Sequence, residues 1–390
     1  MKMIPKAESE RRILRFQERL REEGIDGGLL VYPIDVYYFA GSRQNSSLWI
    51  PADGEPMLLV KKSFERASKE SAIEDIRPFP SSRDLPSLFA GHVRKIGLTF
   101  DVLPVQQFRY YSELLSGREF VDISAINREI RSVKSAWEIE RLRESGRGLC
   151  SAFAQAPSFL ITGMRELDLA AEFEYRLRKA GSEGHLRIRA FHQEIVGIAV
   201  GGDNATVPGC FDGPVTGKGL SAAAPYGPST DTIREGSPIM IDYGAIFDGY
   251  IVDMTRMFVF GVLDPGLKSA FDVSRDILAW ITGQIRPGII CEELYAGAVR
   301  IAGAAGLGDK FMGFPGEQAK FVGHGVGLEL DELPVLAQRF RVPLTAGQTI
   351  AIEPKFAFPG KGVVGIENTY AVTETGCEKI TDFPDDIVYL

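Results

Sequence analysis

Four carboxylates and one imidazole stand in apolar or glycine-rich surroundings in the later part of the chain: Asp242, Asp253, His324, Glu353 and Glu367. An ionised acid inside a β-type apolar run is costly unless a cation or a proton compensates it. Oxygen donors with one imidazole suit Mn²⁺, Co²⁺, Zn²⁺ or Fe²⁺, and the absence of thiolates disfavours a structural zinc site. Two such ions, shared by the carboxylates, would acidify a water nucleophile and stabilise an oxyanion. Hydrolysis is the chemistry this set would serve.

The spacing predicts how these side chains meet. In PIMIDYGAIFDGYIVDMTRMFVF (238–260) two apolar runs flank Asp248-Gly249, a strong hairpin-turn signal. A two-residue turn there sets Asp242 opposite Thr255 and puts Asp253, two residues earlier on the return strand, on the same face. In TIAIEPKFAFPGKGVVGIENTYAV (349–372) the turn signal is Pro359-Gly360-Lys361-Gly362. A three- or five-residue loop sets Glu353 opposite Glu367. His324 lies in FVGHGVGLELDELP, between glycines that would let the backbone pass close to a ligand.

The segments IDYGAIFDGYIVDMTR, GHGVGLELDE, AIEPKF and GIENTY together resemble the pita-bread-fold metallopeptidases: methionine aminopeptidase, Xaa-Pro aminopeptidase and prolidase, with creatinase as a non-metal relative. The resemblance implies five metal ligands at Asp242, Asp253, His324, Glu353 and Glu367, with Asp253 and Glu367 bridging two divalent ions. It implies Glu353 as general base, and an α/β creatinase/prolidase-like N-terminal domain (1–130) before an α+β pita-bread catalytic domain with an antiparallel sheet (131–390). Xaa-Pro-type cleavage of small peptides is the leading expectation. A metal-dependent amidase or lyase on a small metabolite is the alternative, and a binding protein that has lost catalysis a third reading.

The chain departs from that pattern around the substrate. Active members place a His before the first ligand hairpin; here Tyr226 takes the corresponding position, with Gly209 the other candidate. A second His usually follows the ligand His by seven residues; here that position is Asp331. An Arg is often found two residues before the last ligand Glu; here it is Gly365. Tyr226 can donate a hydrogen bond to an oxyanion without titrating near neutrality, whereas Asp331 would repel a substrate carboxylate and attract an amine. Free dipeptides are therefore expected to be poor substrates. His185 and His192 are further imidazoles that lack supporting spacing.

Several elements must position these groups. Ile13, Leu14, Phe16 and Leu20 give helical spacing over 8–23, with Gly24 as the stop, and GGLLVYP and KIGLTF read as strands. Asp53-Gly54 reads as a turn between two further strands. Ser135 with Glu138 forms a capping-box signature that opens the second domain. Amphipathic stretches follow at 166–181, 264–285 and 291–306. Residues 201–228, rich in Gly and Pro, form a long irregular segment of the kind that carries function.

At 390 residues, two domains are the default. The net charge of −8 and the lack of a basic tract argue against a nucleic-acid partner. No apolar run is long enough for a membrane span, and the charged N-terminus does not fit a signal peptide. Four scattered cysteines read as free thiols, which suits the cytoplasm. The expected partner is a small peptide or amide substrate, and a homodimer is compatible with the resemblance.

Overall fold

The computed structural model describes residues 3–89, 91–189 and 195–390. The chain divides into two compact units, Met1–Arg131 and Ser132–Leu390. Among the described residues no helix is long and apolar enough to cross a membrane.

The first unit is an α/β layer built on a mixed six-stranded sheet. Its spatial order is Asp75–Pro78, Met57–Val60, Ser46–Pro51, Gly27–Leu30, Lys95–Leu98, Glu119–Asp122. The expected first helix spans Lys6–Glu22 and buries Ile13, Phe16 and Leu20, the residues whose spacing predicted it. Leu14, on the other face, is exposed. Gly24, just beyond the helix, has a positive φ of 63°.

The second unit opens with the helix Ala136–Gln155. The Ser135 hydroxyl accepts from the Glu138 amide at 3.1 Å, and the Glu138 carboxylate accepts from the Ser135 amide at 2.9 Å. These two bonds satisfy donors that the first helical turn leaves without partners. The further helices are Glu166–Ala180, Pro265–Gln284 and Cys291–Ala304.

Antiparallel strands carry the acids. Ile239–Phe247 pairs with Tyr250–Val259 through a two-residue turn in which Asp248 (φ 48°) and Gly249 (φ 85°) are both left-handed. That geometry matches the twist of the flanking strands. In the second hairpin Lys355–Phe358 pairs with Gly362–Gly365 around a three-residue loop, in the same register as Thr349–Ile352 against Asn368–Val372. Phe321–Gly325 packs between Glu332–Ala337 and Thr349–Ile352. Behind the strands, Leu267, Phe271, Ile277 and Leu294 of two helices share one apolar core with Met240, Met257 and Ile352.

Candidate metal centre

The two acid-bearing hairpins are joined at one point. Asp242 faces Thr255 across the first hairpin, and Asp253 faces Gly244. Thr255 and Glu367 then form an isolated antiparallel bridge, with N···O distances of 3.4 Å both ways. The Thr255 hydroxyl also donates to Glu367 Oε2 at 2.9 Å. The register of the second hairpin places Glu353 opposite Glu367. All five sequence-selected residues therefore converge on one cavity wall.

His324 enters from the third direction. Its Nδ1 lies 3.0 Å from the carbonyl oxygen of Leu330, a contact that calls for the proton on Nδ1. Its Nε2 faces Glu353 Oε1 at 3.6 Å and Glu367 Oε1 at 3.8 Å; burial disfavours the charged ring, but Glu367, Asp331 and Glu353 prevail and raise the His324 pKa well above its ordinary value, so that an ion at Nε2 would take the place of a proton. Fixing the tautomer through the other ring nitrogen is how proteins prepare a metal-binding imidazole. The glycines beside His324 serve the strands rather than a ligand, contrary to the sequence expectation. A Cβ at Gly323 would lie 2.5 Å from the Ala351 carbonyl oxygen, and one at Gly325 2.4 Å from that of Leu333.

The residues fit a divalent ion. Donor atoms of Asp253, His324 and Glu367 all lie within 4.8 Å of one another, and each side chain is buried. Glu367 Oε1 is buried with no hydrogen-bond partner, although its twin oxygen is fully engaged. An orphaned carboxylate oxygen beside a prepared imidazole is costly without a cation.

A sixth side chain occupies the other half of the cluster. Lys355, 1% exposed, places Nζ 2.9 Å from Asp242 Oδ2, 2.8 Å from Glu353 Oε2 and 3.0 Å from Glu367 Oε2. Sequence reasoning passed over it. The available signal was strand periodicity, since Lys355 follows Glu353 by two residues and so shares its face.

The charges shift one another strongly. Burial raises Glu353 to about 7, with Lys355 opposing. Burial also raises Asp253 well above the ordinary carboxylate value, helped by repulsion from Glu367 and Asp242. Burial acts on Glu367 in the same sense but is outweighed by Lys355 and His324, which hold it down at about 2. Burial works against the Lys355 ammonium, but Asp242, Glu353 and Glu367 prevail and push its pKa well above the usual lysine value.

The substitutions expected near the substrate fall in different places. Asp331 lines the cavity, exposed, with Oδ1 3.6 Å from His324 Nδ1. Tyr226 does not line it; its ring meets Phe211 edge-on at 6.1 Å, and Phe211 lines the wall. At Gly209 a Cβ would lie 1.8 Å from Thr216 Cγ2, so no side chain fits there without movement. His185 is exposed and lines a separate pocket with Glu174 and Tyr243, and His192 lies outside the described residues. Part of the irregular segment, Phe211–Val215, lines the cavity together with Leu186, Ile188 and Leu330.

Comparison with known proteins agrees with this geometry. The model of metallopeptidase family M24 matches residues 140–374, and that of the creatinase/prolidase N-terminal domain matches residues 12–133. The chain is 26% identical over 375 residues to an Xaa-Pro dipeptidase of Pyrococcus furiosus, covering 95% of this chain and 97% of that one. The solved Xaa-Pro dipeptidase from Bacillus anthracis superposes with a TM-score of 0.85 at 25% identity, covering 98% of this chain and all of the other. An X-Pro aminopeptidase from Thermotoga maritima shares the fold, with a TM-score of 0.82 at 24% identity over 96% of this chain and 99% of that one.

Proposed function

The chain belongs to metallopeptidase family M24 and is a hydrolytic, metal-using enzyme of small peptides, and from that premise we propose an aminopeptidase of Xaa-Pro type that prefers longer peptides to free dipeptides. One observation carries the reading: a prepared imidazole and an orphaned carboxylate oxygen meet in a cavity with an apolar wall. The proposed ligands come from Asp242, Asp253, His324, Glu353 and Glu367, a donor set suited to Mn, Co, Zn or Fe. How many ions they hold is a separate question, which turns on Lys355. A divalent ion bound there supplies Lewis acidity toward water and a substrate carbonyl.

The side chains provide the rest. Glu353 is the proposed general base, and Lys355 pins its Oε2 so that Oε1 faces the cavity. Leu186, Ile188, Phe211 and Leu330 form an apolar wall suited to an imide ring or an aliphatic side chain. Asp212 and Asp331, both exposed, stand at the same cavity and would attract the α-amine of a peptide. The same charges oppose a nearby substrate carboxylate, and this is the reason for the preference over dipeptides. Tyr226, whose ring meets Phe211, is assigned a supporting role behind the wall. The relatives named as Xaa-Pro dipeptidases support the imide-bond specificity. A cytoplasmic location fits the four free cysteines, and a homodimer remains part of this reading.

The test is hydrolysis of matched Xaa-Pro dipeptides and Xaa-Pro-Xaa tripeptides by metal-loaded protein. Tripeptides should be cleaved with the higher kcat/KM, and Glu353→Gln should lower kcat by roughly 10²–10⁴ while the fold is kept. Efficient dipeptide cleavage would overturn the specificity. Turnover of Glu353→Gln near the wild-type rate would overturn the role of Glu353.

A further inference from the structure

The Lys355 ammonium and a metal ion cannot share one place. Its nitrogen is 2.8–3.0 Å from three carboxylate oxygens, those of Asp242, Glu353 and Glu367. An ion ligated by the same oxygens would sit about 2.0–2.2 Å from each. That position overlaps Nζ. The opposite sides of the same carboxylates look elsewhere: Glu353 Oε1 and Glu367 Oε1 both face His324 Nε2, and Asp253 closes the group. The cluster thus has two compartments, divided by the two glutamates. One is filled by the side chain of Lys355 and the other is lined by free donor atoms.

We propose that Lys355 replaces one ion of the expected pair, so that this chain holds a single divalent ion on Asp253, His324, Glu353 and Glu367, with the ammonium as a built-in second cation. The proposal rests on the metallopeptidase reading above and refines it. Charge permits this: four carboxylates facing one ammonium and one divalent ion leave the cluster one negative charge from neutrality, and two ions would leave it one positive charge away, so the overlap with Nζ decides. With a second divalent ion as well, Lys355 would be a cation packed against cations in a buried site, which is costly.

The neighbouring chain explains how the lysine gets there. Lys355 and Gly365 face each other across the second hairpin. A Cβ at position 365 would lie 2.5 Å from Lys355 Cγ. The bare glycine therefore clears the path along which the lysine stem runs to the acids. The resemblance anticipated an arginine at 365; the chain instead has a glycine there, and the cation arrives from across the hairpin.

Metal content of the whole protein tests this without reference to activity. Metal-free protein is titrated with MnCl₂, ions per chain are counted by native mass spectrometry, and the Mn²⁺ EPR spectrum is recorded. Wild type should take up one ion, with the hyperfine pattern of a magnetically isolated Mn²⁺. Lys355→Gly should take up two and give the spectrum of an exchange-coupled pair. Wild type that binds two coupled ions would overturn the proposal and leave the metallopeptidase reading standing. Wild type that binds none would overturn both. Folded Lys355→Gly that still stops at one ion would also overturn it. If that variant does not fold, the wild-type count and spectrum decide alone.

Discussion

Glu166→Gln should destabilise the second unit and loosen the cavity wall together. Glu166 opens the helix Glu166–Ala180 and is 1% exposed. Its Oε1 accepts from the Gly201 amide at 2.7 Å. Its Oε2 accepts from Asn204 Nδ2 at 2.6 Å, the Ser229 amide at 2.8 Å and the Ser229 hydroxyl at 2.7 Å. Asn204 extends the clamp through Oδ1, which accepts from the Lys218 amide at 2.8 Å. One carboxylate thereby ties both ends of the irregular segment whose middle, Phe211–Val215, walls the cavity. Glutamine keeps the shape but trades an acceptor oxygen for a donor. In its best orientation the new NH₂ confronts the Gly201 N–H, which loses its partner, and the other three bonds weaken from charged to neutral. Hydrogen bonds to a charged group contribute about 1.5–3 kcal/mol against about 1 for neutral ones, so one bond lost and three weakened, taken at the lower end of that range because the energies of bonds sharing one carboxylate do not add in full, give a loss of roughly 3–4 kcal/mol. That is a few-hundredfold in the folding constant, yet below the ~5–15 kcal/mol that a folded protein typically has in reserve. Denaturant unfolding should show a lower midpoint at unchanged slope. Hydrogen exchange should speed up across 201–229, and KM should rise more than kcat falls. A stability change under about 0.5 kcal/mol would refute the energetic argument, since ordinary surface substitutions do as much. A large stability loss with KM unchanged would show that the wall at 211–215 is held by something other than this clamp.

Asp331→Asn should improve kcat/KM for free dipeptides by roughly threefold to tenfold, because it removes a repulsion worth about 1 kcal/mol at several Å in a half-screened site; paired assays on a dipeptide and a tripeptide check this, and an equal effect on both would refute it. Tyr226→Phe should leave the ratio of dipeptide to tripeptide kcat/KM unchanged, since Tyr226 is not among the described residues that line the cavity; a selective shift in that ratio would restore the hydroxyl to the substrate. Ser135→Ala should cost about 1 kcal/mol in thermal or denaturant unfolding by removing the cap on Ala136–Gln155, with metal content unaffected.

Sequence alone determined the features that depend on local chemistry and on strand periodicity. The turn at Asp248-Gly249 needs two left-handed residues, and aspartate with glycine supplies them, so the register that sets Asp242 opposite Thr255 was readable in advance. The three-residue loop after Phe358 was one of two lengths that the turn signal allowed, and either placed Glu353 opposite Glu367. The capping box at Ser135 and the helix after it were equally local. What pairs residues distant in sequence was not readable. No periodicity says that Thr255 and Glu367 bridge the two hairpins, or that the Leu330 carbonyl fixes the His324 tautomer. Nor does it say that Glu166 reaches Gly201 and Ser229. Tyr226 looked like a substitute for a missing imidazole because it stood at the corresponding place in the chain, but in the fold its ring lies against Phe211 and it does not line the cavity. Lys355 lies between the two cases. Its face followed from the period of two, but its destination did not: a lysine stem is long and flexible, and a solvated end was the cheaper expectation. Only the assembled hairpins, with three carboxylates ahead of it and no side chain at Gly365 in its way, fix where that charge goes.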